Sequence, residues 1–268
     1  MNLESRIPPP PSPLLALAET AARAGADVLR RASTRQGGTR SEAGKDLKLQ
    51  ADVDAEAAIL SVLRDGSAHP VLSEECGADA GLDPEAAWWV VDPLDGTVNY
   101  SRGLPLTCVS VGLWRAGEPV LGVVHDFERD EVFAGEVGRG ATCNGASIRP
   151  SGVSEPSKAV LATGFPSARD YGDASLLAFC RRVQRFKKVR LLGSAALSLA
   201  WVAAGRLDAY FEEDIWLWDV AAGLALVTAA GGRISCTPGR TRWRHCAGGW
   251  APELAESVEG LSRECGII

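Results

Sequence analysis

The hydrophobic positions in the first third of the chain fall into helical spacing and then into short apolar runs. Ala and Leu recur at intervals of three and four over residues 12–31, which predicts a first helix. Residues 34–45 are rich in Gly and charge and predict a loop, and residues 54–63 predict a second helix. The apolar runs at residues 70–72 and 88–91 predict buried strands.

From residue 107 to residue 149 the pattern changes to alternation with a period of two. Three antiparallel strands are predicted, over residues 108–114, 120–127 and 131–137. The pair Asn144-Gly145 is typical of a two-residue hairpin turn. We therefore expect a meander in the middle of the chain.

A polar segment with Gly and Pro, residues 151–158, is a candidate junction between domains. Beyond it, strands are predicted over residues 160–161, 189–192, 207–211 and 233–236, and helices over residues 173–186, 195–204, 219–230 and 252–261. Such alternation is typical of an α/β layer. We expect an N-terminal α+β domain over residues 1–152 and a C-terminal α/β domain over residues 153–268.

Composition narrows the class of protein. The chain has 268 residues and a net charge of −6, which argues against a broad nucleic-acid-binding surface. The seven cysteines have no metal-finger spacing, so we expect reduced thiols and a cytoplasmic protein. Neither a signal-peptide pattern nor an apolar run of membrane-spanning length is present, so no membrane partner is expected.

The apolar strand at Trp88 to Val91 ends at two carboxylates, Asp92 and Asp95. Two ionised carboxylates beside a buried strand repel each other and are costly to desolvate, unless a cation lies between them. Hard oxygen ligands at this spacing suit Mg²⁺. Gly96-Thr97 follows, with backbone N–H groups and a hydroxyl that suit a phosphate. The alternative is an acidic turn, since Asp-Pro and Asp-Gly are common in turns.

Other acidic residues also stand at the ends of predicted elements. Glu74 follows a strand, Asp219 opens an apolar helix, and Asp52 lies at the start of the second helix. Each alone is typical of a helix cap or a surface charge. Together they favour a metal site at strand ends, where layered α/β proteins build their sites. Without His or Cys ligands, such a cluster selects Mg²⁺ or Mn²⁺ over zinc.

Two long motifs identify a family resemblance. Asp92 to Tyr100 reads Asp-Pro-Leu-Asp-Gly-Thr-Val-Asn-Tyr, and Trp218 to Gly223 reads Trp-Asp-Val-Ala-Ala-Gly. With Glu74-Glu75 and the turn from Gly193 to Ala196, they resemble the inositol monophosphatase family of Mg²⁺-dependent, lithium-sensitive phosphatases. The resemblance extends from the first helix to the last strand. It implies a layered αβαβα sandwich of the sugar-phosphatase type.

The resemblance also implies roles for individual residues. One Mg²⁺ would be held by Glu74, Asp92 and the backbone carbonyl of Leu94. A second ion would be held by Asp92, Asp95 and Asp219, and a third, weaker ion would lie near Glu74. The attacking water would be oriented and deprotonated by Asp52 and Thr97. Substrate contacts are implied for Gly96, Thr97, Gly193, Ser194, Ala195, Glu212 and Asp219.

Glu212 occupies the position at which the family binds substrate hydroxyls, which favours a polyol or sugar; the alternative is that Glu213 points inward. Lys48 and Leu49 depart from the Val-Thr of the family, and Trp216 stands where some relatives carry His. Trp216 either lines the pocket or packs beneath it. These changes leave the choice among phosphate monoesters open.

The resulting prediction is hydrolysis of a small phosphate monoester, such as inositol 1-phosphate, by in-line attack of metal-activated water. Carboxylates alone are insufficient: general acid–base catalysis gives roughly 10²–10⁴-fold, whereas phosphate monoester hydrolysis calls for up to about 10²¹-fold. Alternative substrates are histidinol phosphate, fructose 1,6-bisphosphate and 3′-phosphoadenosine 5′-phosphate. A non-catalytic regulator that retained the fold is the alternative of a different class. The resemblance further implies a homodimer, for which residues 107–149 offer apolar strands.

Overall fold

The computed structural model of the protein describes residues 10–33, 39–43, 46–83, 85–165 and 171–254. The α-helices are α1 (Pro13–Ser33), α2 (Gln50–Gly66), α3 (Thr97–Ser101), α4 (Asp173–Val183), α5 (Ala195–Ala203) and α6 (Leu217–Ala229). The strands of the first half are β1 (Thr39–Ala43), β2 (Asp46–Leu49), β3 (Val71–Ser73), β4 (Gly77–Ala78), β5 (Ala87–Asp95), β6 (Cys108–Arg115), β7 (Glu118–Asp126), β8 (Glu131–Glu136), β9 (Gly140–Cys143) and β10 (Ala146–Ser147). Those of the second half are β11 (Val160–Ala162), β12 (Lys188–Arg190), β13 (Ala209–Trp216), β14 (Arg233–Pro238) and β15 (Arg244–Trp250).

Two large sheets organise the molecule. The first has the order β10-β9-β8-β7-β6-β5-β3-β4, and its strands are antiparallel except for the parallel pair β3 and β5. The second has the order β12-β11-β13-β15-β14. Strands β12, β11 and β13 run parallel, whereas β15 pairs antiparallel with both β13 and β14. The second sheet is therefore mixed.

The elements stack in five layers. Helices α1 and α2 pack on one face of the first sheet, in a core that includes Leu29, Ile59 and Trp89. Helices α5 and α6 lie between the two sheets, and α4 covers the outer face of the second. The order is that of the αβαβα sandwich expected from the family resemblance, and the expectation is confirmed.

Most predicted elements are present, and the meander and the hairpin turn at Asn144-Gly145 form as expected. Residues 34–38 and 44–45 of the predicted loop lie outside the described residues. Over residues 39–43 the loop prediction is wrong, because this segment pairs with β2 although its polar sequence shows no hydrophobic alternation. Strand β15 was not predicted. The helix predicted over residues 252–261 is described only at Pro252–Leu254, as a single 3₁₀ turn. The domain boundary at residue 152 stays a prediction.

Candidate active site

A cleft of about 250 Å³ lies where the ends of β3, β5, β11 and β13 meet the starts of α3, α5 and α6. Eleven of the twelve sequence-predicted site residues line it: Glu74, Asp92, Leu94, Asp95, Gly96, Thr97, Gly193, Ser194, Ala195, Glu212 and Asp219. Thr163, Gly164, Phe165, Ser198, Tyr210 and Ile215 complete the lining. The volume falls below the range typical of drug-sized ligands, so the cleft suits a small molecule.

The acidic run at the end of β5 is shaped by a β-bulge. Pairing with β6 is regular as far as Asp92 and resumes at Asp95, with the register shifted between them. Pro93 falls inside the bulge, where a residue without an N–H group costs no ladder hydrogen bond. Because bulges re-aim side chains, both carboxylates reach the same cleft although they stand three residues apart. The Asp92 carboxylate accepts a hydrogen bond from the Leu94 N–H at 2.9 Å.

The N-terminus of α5 holds Asp95. The Asp95 carboxylate accepts hydrogen bonds from the Ser194 hydroxyl at 2.6 Å and from the N–H groups of Ala196 at 2.7 Å and Ala195 at 3.3 Å. A negative charge is favoured at a helix N-terminus. The predicted residues of the Gly193 turn are thus in the cleft, but their donors are directed at a carboxylate of the protein.

The carboxylates of the cleft raise one another's pKa. Burial is the main cause for Asp92, followed by the charges of Glu74, Asp95 and Asp219, and the pKa of Asp92 lies well above its usual value. The pKa of Asp219 also lies well above its usual value, because of burial and of the charges of Glu74, Asp95 and Glu212. Burial also raises the pKa of Asp95, although its hydrogen bonds from α5 oppose the shift. The site therefore favours a bound positive charge.

The donor set fits a hard divalent cation. Five carboxylates line the cleft, and no Lys or Arg does so in the part of the chain that the structure describes. Carboxylate and carbonyl oxygens are the ligands that Mg²⁺ and Mn²⁺ prefer. Among the described residues, no group of three or more such side chains is already arranged as a metal site.

The structure separates the roles of Glu212 and Glu213. Glu212 is 7% exposed, lines the cleft and accepts a hydrogen bond from the Tyr210 hydroxyl at 2.9 Å. Glu213 forms an ion pair with Arg182 of α4. Alternation along β13 thus turns Glu212 inward, and the alternative that Glu213 points into the pocket is not supported.

Glu56 is a buried carboxylate that sequence reasoning missed. It lies on α2, is 1% exposed, and accepts hydrogen bonds from the Ser73 hydroxyl and from the N–H groups of Glu75 at 3.0 Å and Cys76 at 3.2 Å. These donors flank Glu74 on both sides. Glu56 therefore fixes the loop that presents Glu74 to the cleft. In the sequence it is one polar residue among alanines inside a predicted helix, so nothing distinguished it from a surface charge.

Asn99 joins the two turns that border the cleft. Its side-chain amide donates to the backbone carbonyls of Leu192 at 2.8 Å and Leu106 at 2.9 Å. Gly193 follows Leu192 with a φ of +71°, and a Cβ there would lie 3.1 Å from the Asn99 amide nitrogen. Sequence analysis gave no role in the site to Asn99, because the Leu192 carbonyl, which ties it to the second turn, lies 93 residues away along the chain.

Asp52 does not line the cleft. It is 3% exposed, and one carboxylate oxygen accepts a hydrogen bond from the Leu49 N–H at 2.6 Å at the start of α2. Burial of Tyr100, on α3, and the charges of Asp52 and Glu128 raise the pKa of Tyr100 to about 12, so Asp52 lies near α3. Its role toward the attacking water stays a prediction. Thr97 is in the cleft, and its hydroxyl donates to the Leu94 carbonyl at 3.1 Å.

Trp216 packs beside the site. Its ring stacks on Trp218 at 4.7 Å, with the Arg244 guanidinium 3.9 Å from the ring centroid, and it is not among the lining residues. Ile215, its neighbour, lines the cleft in its place. The Lys48 side chain lies outside the described residues, and Leu49 is buried.

Comparison with known proteins identifies the family and the fold. The model of the inositol monophosphatase family matches residues 11–262. The chain is 38% identical over 227 residues to the Nus factor SuhB of Salmonella typhimurium, covering 83% of this chain and 85% of that protein. It is 40% identical over 198 residues to the inositol-1-monophosphatase of Synechocystis, covering 72% and 69%. Among solved structures, the inositol monophosphatase of Anabaena is 37% identical with a TM-score of 0.78, and the match covers 93% of this chain and 94% of that one. The extragenic suppressor protein suhB of Bartonella henselae is 31% identical with a TM-score of 0.83, and the match covers 96% of this chain and 100% of that one.

The fold and the cleft define a layered phosphatase of phosphoric monoesters. The chain belongs to the inositol monophosphatase family. The predicted family, the fold, the reaction class and the small phosphate substrate are confirmed, and the family is generally dependent on a metal such as Mg²⁺. In the described ranges no helix is long and apolar enough to cross a membrane.

Proposed function

We propose that the protein hydrolyses the phosphate monoester of a small polyol or sugar, and that Glu74, Asp92, Asp95, Asp219 and the Leu94 carbonyl hold two or three Mg²⁺ ions. One observation carries the proposal: five carboxylates and no basic side chain line the described cleft. A phosphate dianion is repelled from such a cleft unless divalent ions neutralise it. When bound, the ions supply Lewis-acid stabilisation of the phosphoryl and leaving oxygens and an acidified water.

The residues of this chain perform the positioning. The bulge at Pro93 aims Asp92 and Asp95 into the cleft, and the N-terminus of α5 fixes Asp95 through Ser194 and Ala196. Thr97 donates its hydroxyl proton to the Leu94 carbonyl, which leaves its oxygen as an acceptor for an attacking water. Asp52 and Glu74 are the proposed acceptors of the proton that this water loses. Gly96, whose φ is +94°, lets the chain turn closely past the phosphate position.

Glu212 is the proposed ligand of substrate hydroxyls. Its carboxylate is fixed by Tyr210 and lies on the part of the cleft formed by β13. A carboxylate accepts hydrogen bonds from vicinal hydroxyls, which favours a polyol or sugar over an alkyl phosphate. The relatives named inositol-1-monophosphatase support this substrate class.

The test is phosphate release from a panel of monoesters with and without Mg²⁺, including inositol 1-phosphate, histidinol phosphate, fructose 1,6-bisphosphate and 3′-phosphoadenosine 5′-phosphate. We expect turnover only with Mg²⁺, and fastest on a polyol or sugar phosphate. Asp95→Asn should abolish turnover with the fold intact, whereas Asp65→Asn, on the exposed end of α2, should retain it. Turnover by Asp95→Asn would refute the metal assignment.

The alternative of a different class is a non-catalytic regulator that retained the fold, and the relatives named Nus factor SuhB are compatible with it. It predicts no phosphate release from any member of the panel with Mg²⁺ present. The cleft argues for catalysis, since a binding module has no use for five carboxylates that oppose each other's ionisation. The homodimer and the cytoplasmic compartment stay predictions. The compartment is supported by the free thiols of Cys76, Cys108, Cys143, Cys180 and Cys236, and light scattering of the purified protein would test the dimer.

A further inference from the structure

Phe165 places an aromatic surface at the cleft. It lines the cleft, and it is 38% exposed although large apolar side chains are usually buried. The ring of Phe179, on α4, supports it with centroids 4.4 Å apart, and Tyr171 lies beside it at 6.2 Å. The three rings form a small aromatic wall, of which Phe165 is the member that faces the cavity.

The backbone that carries this wall is anchored to the second sheet. The Thr163 hydroxyl donates to the Phe211 carbonyl at 2.6 Å, and the Thr163 N–H donates to the Arg190 carbonyl at 3.0 Å. Both bonds lie two residues before Phe165, so β12 and β13 set the direction in which the chain enters the cleft. The wall is thus attached to rigid elements, as a specific binding surface requires.

Gly164 brings the wall next to the Glu212 carboxylate. A Cβ at Gly164 would lie 2.4 Å from one Glu212 carboxylate oxygen and 2.7 Å from the other, so any side chain there would displace the carboxylate. The backbone therefore passes directly over the carboxylate, and the Phe165 ring follows it. The apolar face of Phe165 and the hydrogen-bond acceptor Glu212 therefore stand side by side on the part of the cleft formed by β11 and β13.

We propose that Phe165 is a specificity-determining residue that stacks on the carbon face of a cyclic polyol or sugar ring while Glu212 accepts the ring hydroxyls. This inference rests on the proposed phosphatase function and narrows its substrate to ring-shaped polyols. A ring with its hydroxyls at the edge offers C–H groups on its face, which match an aromatic surface, and donors at its rim, which match a carboxylate. An acyclic phosphate offers no such face.

The test compares kcat/KM for inositol 1-phosphate with kcat/KM for glycerol 2-phosphate. Removing the ring in Phe165→Ala uncovers on the order of 40 Å² of apolar contact, so the ratio of the two values should fall about fivefold, mainly through KM for the cyclic substrate. Phe165→Leu, which keeps an apolar side chain on Phe179 without a flat face, should also lower the ratio. Phe165→Trp should keep it.

Leu177→Ala is the matched control, because Leu177 is an exposed apolar residue of the neighbouring α4 that does not line the cleft. Leu177→Ala should leave kcat/KM unchanged for both substrates. An unchanged ratio in Phe165→Ala, or a full ratio in Phe165→Leu, would overturn the inference while leaving the phosphatase function in place. A selective loss on adenosine 2′-monophosphate, added as a third substrate, would assign the wall to a base and overturn it as well. Turnover of none of the three by the unaltered protein would instead refute the proposed function, and the inference with it.

Discussion

Glu56 shows how much a single buried side chain determines at this site. Its carboxylate collects hydrogen bonds from both sides of Glu74, through Ser73, Glu75 and Cys76. Hydrogen bonds to a charged acceptor contribute about 1.5–3 kcal/mol each, so the conformation of the loop depends on this group. Glu56 does not line the cleft, and we expect its effect on activity to act through Glu74.

We expect Glu56→Gln to raise the Mg²⁺ concentration needed for half-maximal activity by about tenfold, which corresponds to loss of about 1.4 kcal/mol of loop ordering. At saturating Mg²⁺, kcat should recover. The measurement is a Mg²⁺ titration of phosphate release. Asp54→Asn is the control, since Asp54 lies on the exposed side of the same helix and accepts a bond only from Gln50 among the hydrogen bonds of the described chain. If Glu56→Gln lowers kcat at every Mg²⁺ concentration with no shift of the midpoint, Glu56 is merely structural.

Asp92, in contrast to Glu56, destabilises the metal-free protein. Burial and three neighbouring carboxylates raise its pKa, so its ionised form destabilises the metal-free fold near neutral pH. Asp92→Asn removes the charge and keeps an oxygen for the Leu94 N–H. We expect the variant to be about 1 kcal/mol more stable than the unaltered protein in EDTA, which raises Tm by about 3 °C.

In excess Mg²⁺ the order should reverse, because the unaltered protein gains binding free energy that the variant has lost. Differential scanning calorimetry in both buffers measures the crossing. A variant that is less stable than the unaltered protein in EDTA would show that repulsion does not dominate at Asp92.

At the scale of elements, direct contact with the first sheet fixes the position of α6, the helix that carries Asp219. Gly122 of β7 lies against the helix backbone: a Cβ there would be 2.2 Å from the Ala222 carbonyl oxygen. Gly112 of β6 meets the same residue, with a Cβ position 3.0 Å from the Ala222 nitrogen. The two glycines let helix and sheet approach so closely that the first turn of α6 reaches the cleft.

Gly122→Ala should therefore push α6 away from the sheet and destabilise the protein by about 1–3 kcal/mol. Urea unfolding measures the change. Gly152→Ala is the control, because the Cβ position at Gly152 meets no atom within 4 Å. Since α6 presents Asp219, we also expect weaker Mg²⁺ activation in Gly122→Ala. Equal stability of the two variants would mean that the close approach has no energetic weight.

The elements also show what sequence could predict. Strand β5 and helix α6 carry long motifs in which acidic residues stand at the end or the start of an apolar run, and their cleft-lining residues were predicted one by one. Glu56 and the bridging role of Asn99 were missed, since Glu56 binds N–H groups 19 and 20 residues away and Asn99 binds a carbonyl 93 residues away, and a backbone group leaves no mark in the sequence. Strand β15 was missed because its Gly248 and Gly249 interrupt the apolar pattern while its pairing with β13 and β14 is long-range.

At the scale of the whole molecule, the charge of the cleft couples two kinds of ligand. The five carboxylates come from both halves of the chain, Glu74, Asp92 and Asp95 from the first and Glu212 and Asp219 from the second. Closing the five-layered sandwich brings these charges together, and their mutual effect on pKa is the electrostatic cost of that closure. A divalent ion lowers this cost and makes the same space attractive to a phosphate.

Phosphate binding should consequently depend on metal. Inorganic phosphate alone should leave Tm unchanged. Mg²⁺ alone should raise Tm, because at a hundred times its Kd it adds about 2.7 kcal/mol to the free energy of unfolding. The two together should raise Tm beyond the Mg²⁺ value, and by thermodynamic reciprocity phosphate should lower the apparent Kd of Mg²⁺. A thermal-shift matrix of both ligands measures the coupling, with potassium sulfate at equal ionic strength as the control. A Tm increase by phosphate in EDTA would mean that a basic group outside the described lining binds the anion. Phosphate binding would then not require the metal.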